Sequence, residues 1–245
     1  MKGMGAITGY FSRREQFLWL GSVALIVLTF LLFRQGDYFS LASSLIGVTA
    51  LILCAKGNPP GQLLMIVFCL MYAAISLGYS YYGELLTYLL MCLPMAVFSF
   101  VAWIRHPYQG NHAQVTVYRI TRRDLAVMVV LTAAVTALFY FLLSALHTVN
   151  LLPSTISVTT SFLAAYLTYK RSPYYALGYA ANDVVLIILW VLASLSDPSY
   201  LSVVICFVVF LVNDLYAFFN WRQMERHQAA GAAAGGKEDA SCSGI

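Results

Sequence analysis

Long apolar runs follow one another along almost the whole chain and restrict its possible folds more than any other feature. Only 10% of the residues are charged, against about 25% in an average soluble domain. Each run is close to the roughly 20 residues that a helix needs to cross a bilayer. The runs are Phe17–Phe33, Tyr38–Ala55, Leu63–Tyr81, Leu85–Ile104, Leu125–Leu146, Pro153–Tyr169, Tyr174–Leu195 and Tyr200–Trp221.

Segments of this kind must satisfy their own backbone hydrogen bonds in lipid, so we expect helices and no strands. The sequence therefore predicts an all-α integral membrane protein with about eight transmembrane helices. The net charge of +4 gives no reason to expect a nucleic-acid partner.

The basic residues are distributed unevenly about the runs. If successive loops lie on alternate sides, every Lys and Arg except Arg34 falls on the side of the two termini. The positive-inside rule then places both termini in the cytoplasm, with the runs spanning the inner membrane. Seven or nine spans would scatter these charges, so the asymmetry also favours an even number of helices.

Aromatic spacing indicates an internal repeat. Two triplets share separations of 10 and 21 residues: Tyr72, Tyr82 and Trp103, and Trp190, Tyr200 and Trp221. Because an odd number of spans separates the copies, they run in the same direction, as in SWEET-type transporters. We therefore expect a cytoplasmic N-terminus and an extra helix (1–37), a three-helix repeat (38–105), a cytoplasmic loop and linker helix (106–152), a second three-helix repeat (153–222) and a disordered tail (223–245).

Two Asn-Asp dipeptides lie deep inside apolar runs, at Asn182-Asp183 and Asn213-Asp214. A charged side chain at the bilayer centre costs roughly 2.5–3.5 kcal/mol even on the mildest scale, so these groups are expected to face a polar cavity. On helical spacing, Trp190 shares a face with Asn182, and Tyr216 with Asn213. The candidate substrate-binding residues are Asn182, Asp183, Trp190, Asn213, Asp214, Tyr216, Tyr72, Tyr166 and Phe98.

Simpler interpretations of these residues remain open. Asn side chains often only connect helices within a membrane bundle. Each Asp follows its Asn by one position, which is a rotation of about 100° on a helix, so the Asp could face a neighbouring helix or subunit instead of the cavity. Two intramembrane carboxylates also occur in aspartyl proteases, but Leu211-Val212-Asn213-Asp214 lacks the Gly-x-Gly-Asp that such proteases have.

The candidate residues favour binding over catalysis. Aromatic walls suit a flat ring, above all a cationic one, and an Asn amide suits a carboxamide or ribose hydroxyls. The predicted ligand is a flat heterocycle with a polar group, such as a vitamin or a nucleoside. The sequence contains none of the phosphate-binding, zinc-binding or hydrolase motifs that we sought, so we expect no enzyme activity, cofactor or metal.

Four stretches together are similar to the PnuC family of bacterial nicotinamide riboside transporters: Tyr81–Leu86, Leu93–Met95 with Trp103, Ala180–Trp190, and Asn213–Trp221. The resemblance implies a 3+1+3 helix core, a homotrimer and binding positions at Asn182, Trp190, Asn213 and Tyr216. It also implies facilitated diffusion of nicotinamide riboside, with trapping by cytoplasmic phosphorylation on the way to NAD. The chain departs from the family pattern at Ala96 and Ala217.

Two alternative functions stay open at this stage. One is transport of another flat vitamin or nucleoside, with thiamine as the main candidate. The other is proton-coupled uptake through Asp183 or Asp214.

Overall fold

The computed structural model describes residues 10–33, 38–78, 82–148, 150–195 and 201–242. Within these ranges, eight helices are long and apolar enough to cross a membrane, which confirms the predicted all-α membrane architecture. They are α1 (Arg13–Phe33), α2 (Tyr38–Ala55), α3 (Pro59–Gly78), α4 (Tyr82–Leu86, a π-helical stretch Thr87–Cys92, and Leu93–Arg105), α5 (Arg122–Ala145), α6 (Leu151–Tyr169), α7 (Tyr175–Ser194) and α8 (Leu201–Cys242). Arg34, Tyr81 and Tyr200, which entered the sequence predictions, lie outside the described residues.

The eight helices give the bundle two ends. We call one end the basic face, because Lys56, Arg105 and Lys170 lie there, together with the start of α1. The other end, where α3 meets α4 and α5 meets α6, is the opposite face. The lateral surface is apolar: Val130 and Phe141 of α5, for example, are 67% and 70% exposed. Such a surface suits lipid tails.

Helices α1 and α5 begin in the same way. Ser12 and Glu15 form a capping box at the start of α1, in which each backbone N–H donates to the other side chain. Thr121 and Asp124 form the equivalent box at the start of α5. A capping box satisfies two backbone N–H groups that a helix N-terminus leaves without partners. An Arg-Arg pair stands at the same position in both helices.

The acid of each capping box also forms an ion pair with a lysine that directly follows the next transmembrane helix. Lys56 Nζ lies 3.0 Å from Glu15 Oε1, and Lys170 Nζ lies 2.7 Å from Asp124 Oδ1. Lys56 follows α2 and Lys170 follows α6. The likeness between the halves therefore extends to the starts of α1 and α5, the helices that the sequence treated as extra and as a linker.

The turns after α2 and α6 have the same backbone conformation. Gly57 and Arg171 both have positive φ, 66° and 56°, and each donates its N–H to the carbonyl three residues earlier. When these two turns are aligned, the first-half counterpart of Asn182-Asp183 is Phe68-Cys69. The 118-residue separation of Trp103 and Trp221 would instead give Leu64-Met65. The connection from α7 to α8 is three residues longer than that from α3 to α4, so one spacing does not fit the whole repeat.

A short β-hairpin, which the sequence did not predict, connects the two halves at the basic face. Strand β1 (Pro107–Tyr108) pairs antiparallel with β2 (Asn111–Val115). The segment then donates one backbone N–H to each repeated turn, from Val115 to Gly57 O and from Tyr118 to Arg171 O. Strands are possible here because this segment lies outside the apolar runs.

Helix α8 extends well beyond its apolar run. Gln228 accepts a hydrogen bond from Val117 N and donates one to Val115 O, which fixes this extension against the hairpin. The helix continues to Cys242, although the composition predicted a disordered tail from residue 223. Alanine has the highest intrinsic helix propensity, and the segment is rich in it.

Candidate functional site

Two connected cavities lie between the halves of the bundle. The outer cavity, near the opposite face, has a volume of about 520 Å³ and is bounded by α3–α8. The inner cavity lies deeper, towards the basic face, and has a volume of about 90 Å³. Six residues line both: Tyr88, Cys92, Ser161, Asn182, Leu186 and Phe207. The outer cavity falls within the size range of small-molecule sites, whereas the inner cavity has room for only about three waters.

Asn182 lies where the two cavities meet. Its Oδ1 accepts hydrogen bonds of 2.9 Å from both Ser157 Oγ and Thr160 Oγ1 of α6. These two bonds fix the amide plane and occupy its carbonyl side. The Nδ2 group is thereby directed away from the two hydroxyls, as a donor for a ligand carbonyl or hydroxyl.

Asp183 and Asp214 approach each other across the interface of α7 and α8. Both residues line the inner cavity, where their carboxyl groups interact electrostatically. Asp183 Oδ2 is buried and has no hydrogen-bond partner among the described residues. Two carboxylates this close repel each other when both are ionised, so the pair calls for a shared proton or a positive ligand.

Aromatic rings form much of the remaining wall. Tyr72 and Tyr88 have ring centroids 4.3 Å apart, and Trp190 lines the same outer cavity from α7. Phe207 lies on α8 beside both cavities. The π-helical stretch of α4 includes Tyr88 and Cys92; insertions of this kind are frequent at functional sites.

A layer of aromatic residues closes the inner cavity towards the basic face. Trp103 and Trp221 are both fully buried, with centroids 5.4 Å apart, and Tyr175 packs edge-on against Trp221. Trp103 of the first half donates its indole N–H to Thr168 O of the second half, at 2.9 Å. Trp221 of the second half donates to Cys54 O of the first, at 2.8 Å. The two halves therefore hold each other closed by equivalent bonds.

Of the nine residues predicted from the sequence, five line the cavities: Tyr72, Asn182, Asp183, Trp190 and Asp214. The structure does not bring the other four there. Asn213 donates to Ser22 Oγ of α1 at 3.0 Å, and Phe98 is 57% exposed on the lateral surface.

The remaining two lie near the basic face. Tyr216 donates its hydroxyl to Glu15 Oε1 at 3.1 Å, beside the ion pair with Lys56. Tyr166 is buried near the other ion pair, with Lys170 Nζ 5.8 Å from its ring centroid. Both therefore contribute to the ion-paired starts of α1 and α5. Helical spacing alone did not predict which neighbour each face would meet.

Sequence reasoning missed Glu84 as a site residue. Glu84 lines the outer cavity, and Tyr72 donates its hydroxyl to Glu84 Oε2 at 3.0 Å. Its signal was weaker than that of the two Asp residues, because Glu84 directly precedes the run Leu85–Ile104 instead of lying deep inside it. Ser157 and Thr160 were also missed. Within the described residues no group of three or more His, Cys, Asp or Glu could hold a metal ion.

The fold and the cavities define a multi-span membrane bundle, built from two similar halves around a central polar path, which is the arrangement of small-molecule membrane transporters. Residues 37–223 match the family model described as nicotinamide mononucleotide transporter. This match covers most of the chain, so the protein belongs to that family, the PnuC transporters.

Named relatives agree with this assignment. The chain is 24% identical over 204 residues to the nicotinamide riboside transporter PnuC of Neisseria mucosa, covering 80% of this chain and 76% of the relative. It is 20% identical over 189 residues to the PnuC of Haemophilus influenzae, covering 77% and 80% of the two chains. A crystal structure of the vitamin B3 transporter PnuC superposes with a TM-score of 0.76 at 20% identity, covering 89% and 94%. The structural likeness supports the fold.

Proposed function

We propose that this protein imports nicotinamide riboside across the bacterial inner membrane, with both termini in the cytoplasm. The observation that carries the proposal is the composition of the two cavities. Their described lining combines aromatic rings, the oriented amide of Asn182 and three carboxylates, with no Lys or Arg. Similarity to relatives named as nicotinamide riboside transporters supports the same substrate.

Each part of nicotinamide riboside has a complementary group along this path. Its pyridinium ring is flat and positive, which suits the faces of Tyr88 and Trp190 and the nearby carboxylates. Asn182 Nδ2 can donate to the carboxamide oxygen or to a ribose hydroxyl. The outer cavity, at about 520 Å³, is large enough for the whole nucleoside, whereas the inner cavity at about 90 Å³ must widen before it passes.

A nucleotide should be excluded. A phosphate group would enter a site that holds carboxylates but, among its described residues, no basic side chain to neutralise it. Binding measured by titration calorimetry on the purified protein tests this: nicotinamide riboside should bind and its 5′-phosphate should not. Equal affinity for the two compounds would contradict the proposal. Thiamine, another flat cation, is the competitor to include in the same experiment.

We further propose facilitated diffusion, in which the nucleoside moves down its gradient and cytoplasmic phosphorylation on the route to NAD traps it. The described structure is closed towards the basic face by Trp103 and Trp221 and has its larger cavity near the opposite face. Substrate would thus enter from outside and leave after the aromatic layer opens. Uptake into proteoliposomes should equilibrate without energy input and should not accumulate substrate.

The adjacent carboxyl groups of Asp183 and Asp214 favour one competing mechanism, proton-coupled uptake. If this pair exchanged a proton during transport, an imposed pH gradient would drive accumulation, and Asp→Asn changes would abolish that response. If uptake ignores the gradient in the native protein, the pair serves the cationic ligand. For assembly we propose a homotrimer, to be checked by native mass spectrometry.

A further inference from the structure

Glu84 sits at the entrance of the path, apart from the deeper carboxylates. It lies near the start of α4 and lines the outer cavity but not the inner one, whereas Asp183 and Asp214 line the inner cavity but not the outer one. A ligand entering from the opposite face therefore meets Glu84 before it reaches the Asp pair. Asn182, which lines both cavities, lies between the two acidic positions.

The described structure provides no positive partner for Glu84. None of the described ion pairs includes it, and its one described hydrogen-bond donor is the neutral hydroxyl of Tyr72, at 3.0 Å. The described lining of the outer cavity contains His147 but no Lys or Arg. Glu84 differs in this respect from Glu15 and Asp124, which each have a lysine nitrogen within 3.0 Å of a carboxylate oxygen. The charge of Glu84 is thus available to a ligand.

An aromatic surface stands next to this carboxylate. Tyr72, which orients Glu84 Oε2, is in ring contact with Tyr88 at 4.3 Å, and both rings line the outer cavity. Cations bind well where a ring face and a carboxylate meet, because the quadrupole of the ring and the charge of the acid act on the same centre. Tyr72 therefore does two things: it presents a ring and it fixes the acid.

We propose that Glu84, oriented by Tyr72, is an entry station that selects positively charged nucleosides before they reach Asn182 and the Asp pair. This inference rests on the proposed function and specifies its selectivity. Glu84 recognises the ring charge and not the ribose or the carboxamide. Removing its charge should weaken binding of a cationic ligand and leave a neutral ligand of the same shape unaffected.

The test uses a matched pair of ligands. Nicotinamide riboside carries a pyridinium, and benzamide riboside replaces its ring nitrogen by carbon, so it has the same shape without the charge. Dissociation constants of both are measured on the purified full chain for the native protein, Glu84→Gln and Tyr72→Phe. Glu225→Gln is the control, because it is the same substitution at the basic face, away from the cavities. Glu225 pairs there with Arg222 and Arg119.

Glu84→Gln should bind nicotinamide riboside about tenfold more weakly, the usual consequence of losing a charge-assisted contact. Benzamide riboside should change less than about twofold, and Glu225→Gln should change neither ligand. Tyr72→Phe keeps the ring but frees the carboxylate, so it should reduce the preference for the cation by a smaller factor. It also tests the station if Glu84→Gln does not fold.

Three outcomes would decide against the entry station: unchanged nicotinamide riboside affinity in both variants, equal weakening of the two ligands, or a preference for the neutral ligand in the native protein. If the native protein binds neither riboside, the proposed substrate itself is wrong. That result is distinct from a native protein that binds nicotinamide riboside but is insensitive to Glu84.

Discussion

The aromatic layer of Trp103 and Trp221 offers a quantitative test of how the path opens. Trp→Phe at either position removes one buried indole N–H···O bond between the halves, of 2.9 Å or 2.8 Å. The acceptor carbonyls are not left without a donor, because Arg171 N and Gly57 N donate to the same Thr168 and Cys54 oxygens. The loss is therefore that of an ordinary hydrogen bond, about 0.5–1.5 kcal/mol.

If this bond exists only while the basic face is closed, each substitution should raise the population open to that face by about 2- to 13-fold. The two variants should behave alike, since the repeat places them at equivalent positions. The double variant should exceed either one, but its effect need not equal their sum, because the two indoles are in contact at 5.4 Å.

Thiol labelling from the basic face measures this equilibrium. Cys54 lines the inner cavity and supplies the carbonyl that Trp221 bonds, so its Sγ should become reachable when the layer opens. The measurement uses inside-out vesicles, a soluble maleimide and a background in which Cys54 is the only cysteine. Trp19→Phe is the matched control: Trp19 also donates one indole N–H, to Thr49 Oγ1 at 3.2 Å, but within the first half and away from the cavities.

Faster labelling of Cys54 in Trp103→Phe and Trp221→Phe, with no change in Trp19→Phe, is the expected result. Equal labelling in all three would show that these bonds do not hold the closed state, and the reasoning would be refuted.

Three further predictions concern the site and the scaffold. Asn182→Ala should weaken nicotinamide riboside binding about tenfold in calorimetry. Asn213→Ala, which loses its hydrogen bond to Ser22, should instead lower the melting temperature. The reverse pattern would show that Asn213 binds the ligand and Asn182 only connects helices. Gly178→Ala should lower the free energy of unfolding by about 1–3 kcal/mol, because a Cβ there would lie 2.9 Å from Ala164 Cα. At Gly21 a Cβ would meet nothing within 4 Å, so Gly21→Ala should leave the free energy of unfolding unchanged or raise it by up to about 1 kcal/mol. Lys170 donates a hydrogen bond to the Asp124 carboxylate, which raises the pKa of Lys170 above its ordinary 10.5. The pair should therefore stabilise the fold below about pH 10.5 and lose this effect as pH rises through the higher value. Melting temperatures of Asp124→Asn should decrease less over that range than those of the native protein.

The sequence was sufficient for the number and nature of the helices. Long apolar runs have few ways to satisfy their backbone in lipid, and the one-sided distribution of Lys and Arg selects an even number of spans. The repeat was visible in the tryptophans. The likeness between the starts of α1 and α5 became evident only from paired contacts, namely Lys56 with Glu15 and Lys170 with Asp124.

The site itself was decided by tertiary packing. Both dipeptides place two polar side chains about 100° apart on a helix, and the sequence cannot say which neighbour each one faces. Around α7, both Asn182 and Asp183 line a cavity; on α8, Asp214 does so while Asn213 contacts Ser22 of α1. Glu84 entered the site because the start of α4 borders the outer cavity. Helical periodicity fixes the angle between side chains, but only the packed bundle determines what surrounds them.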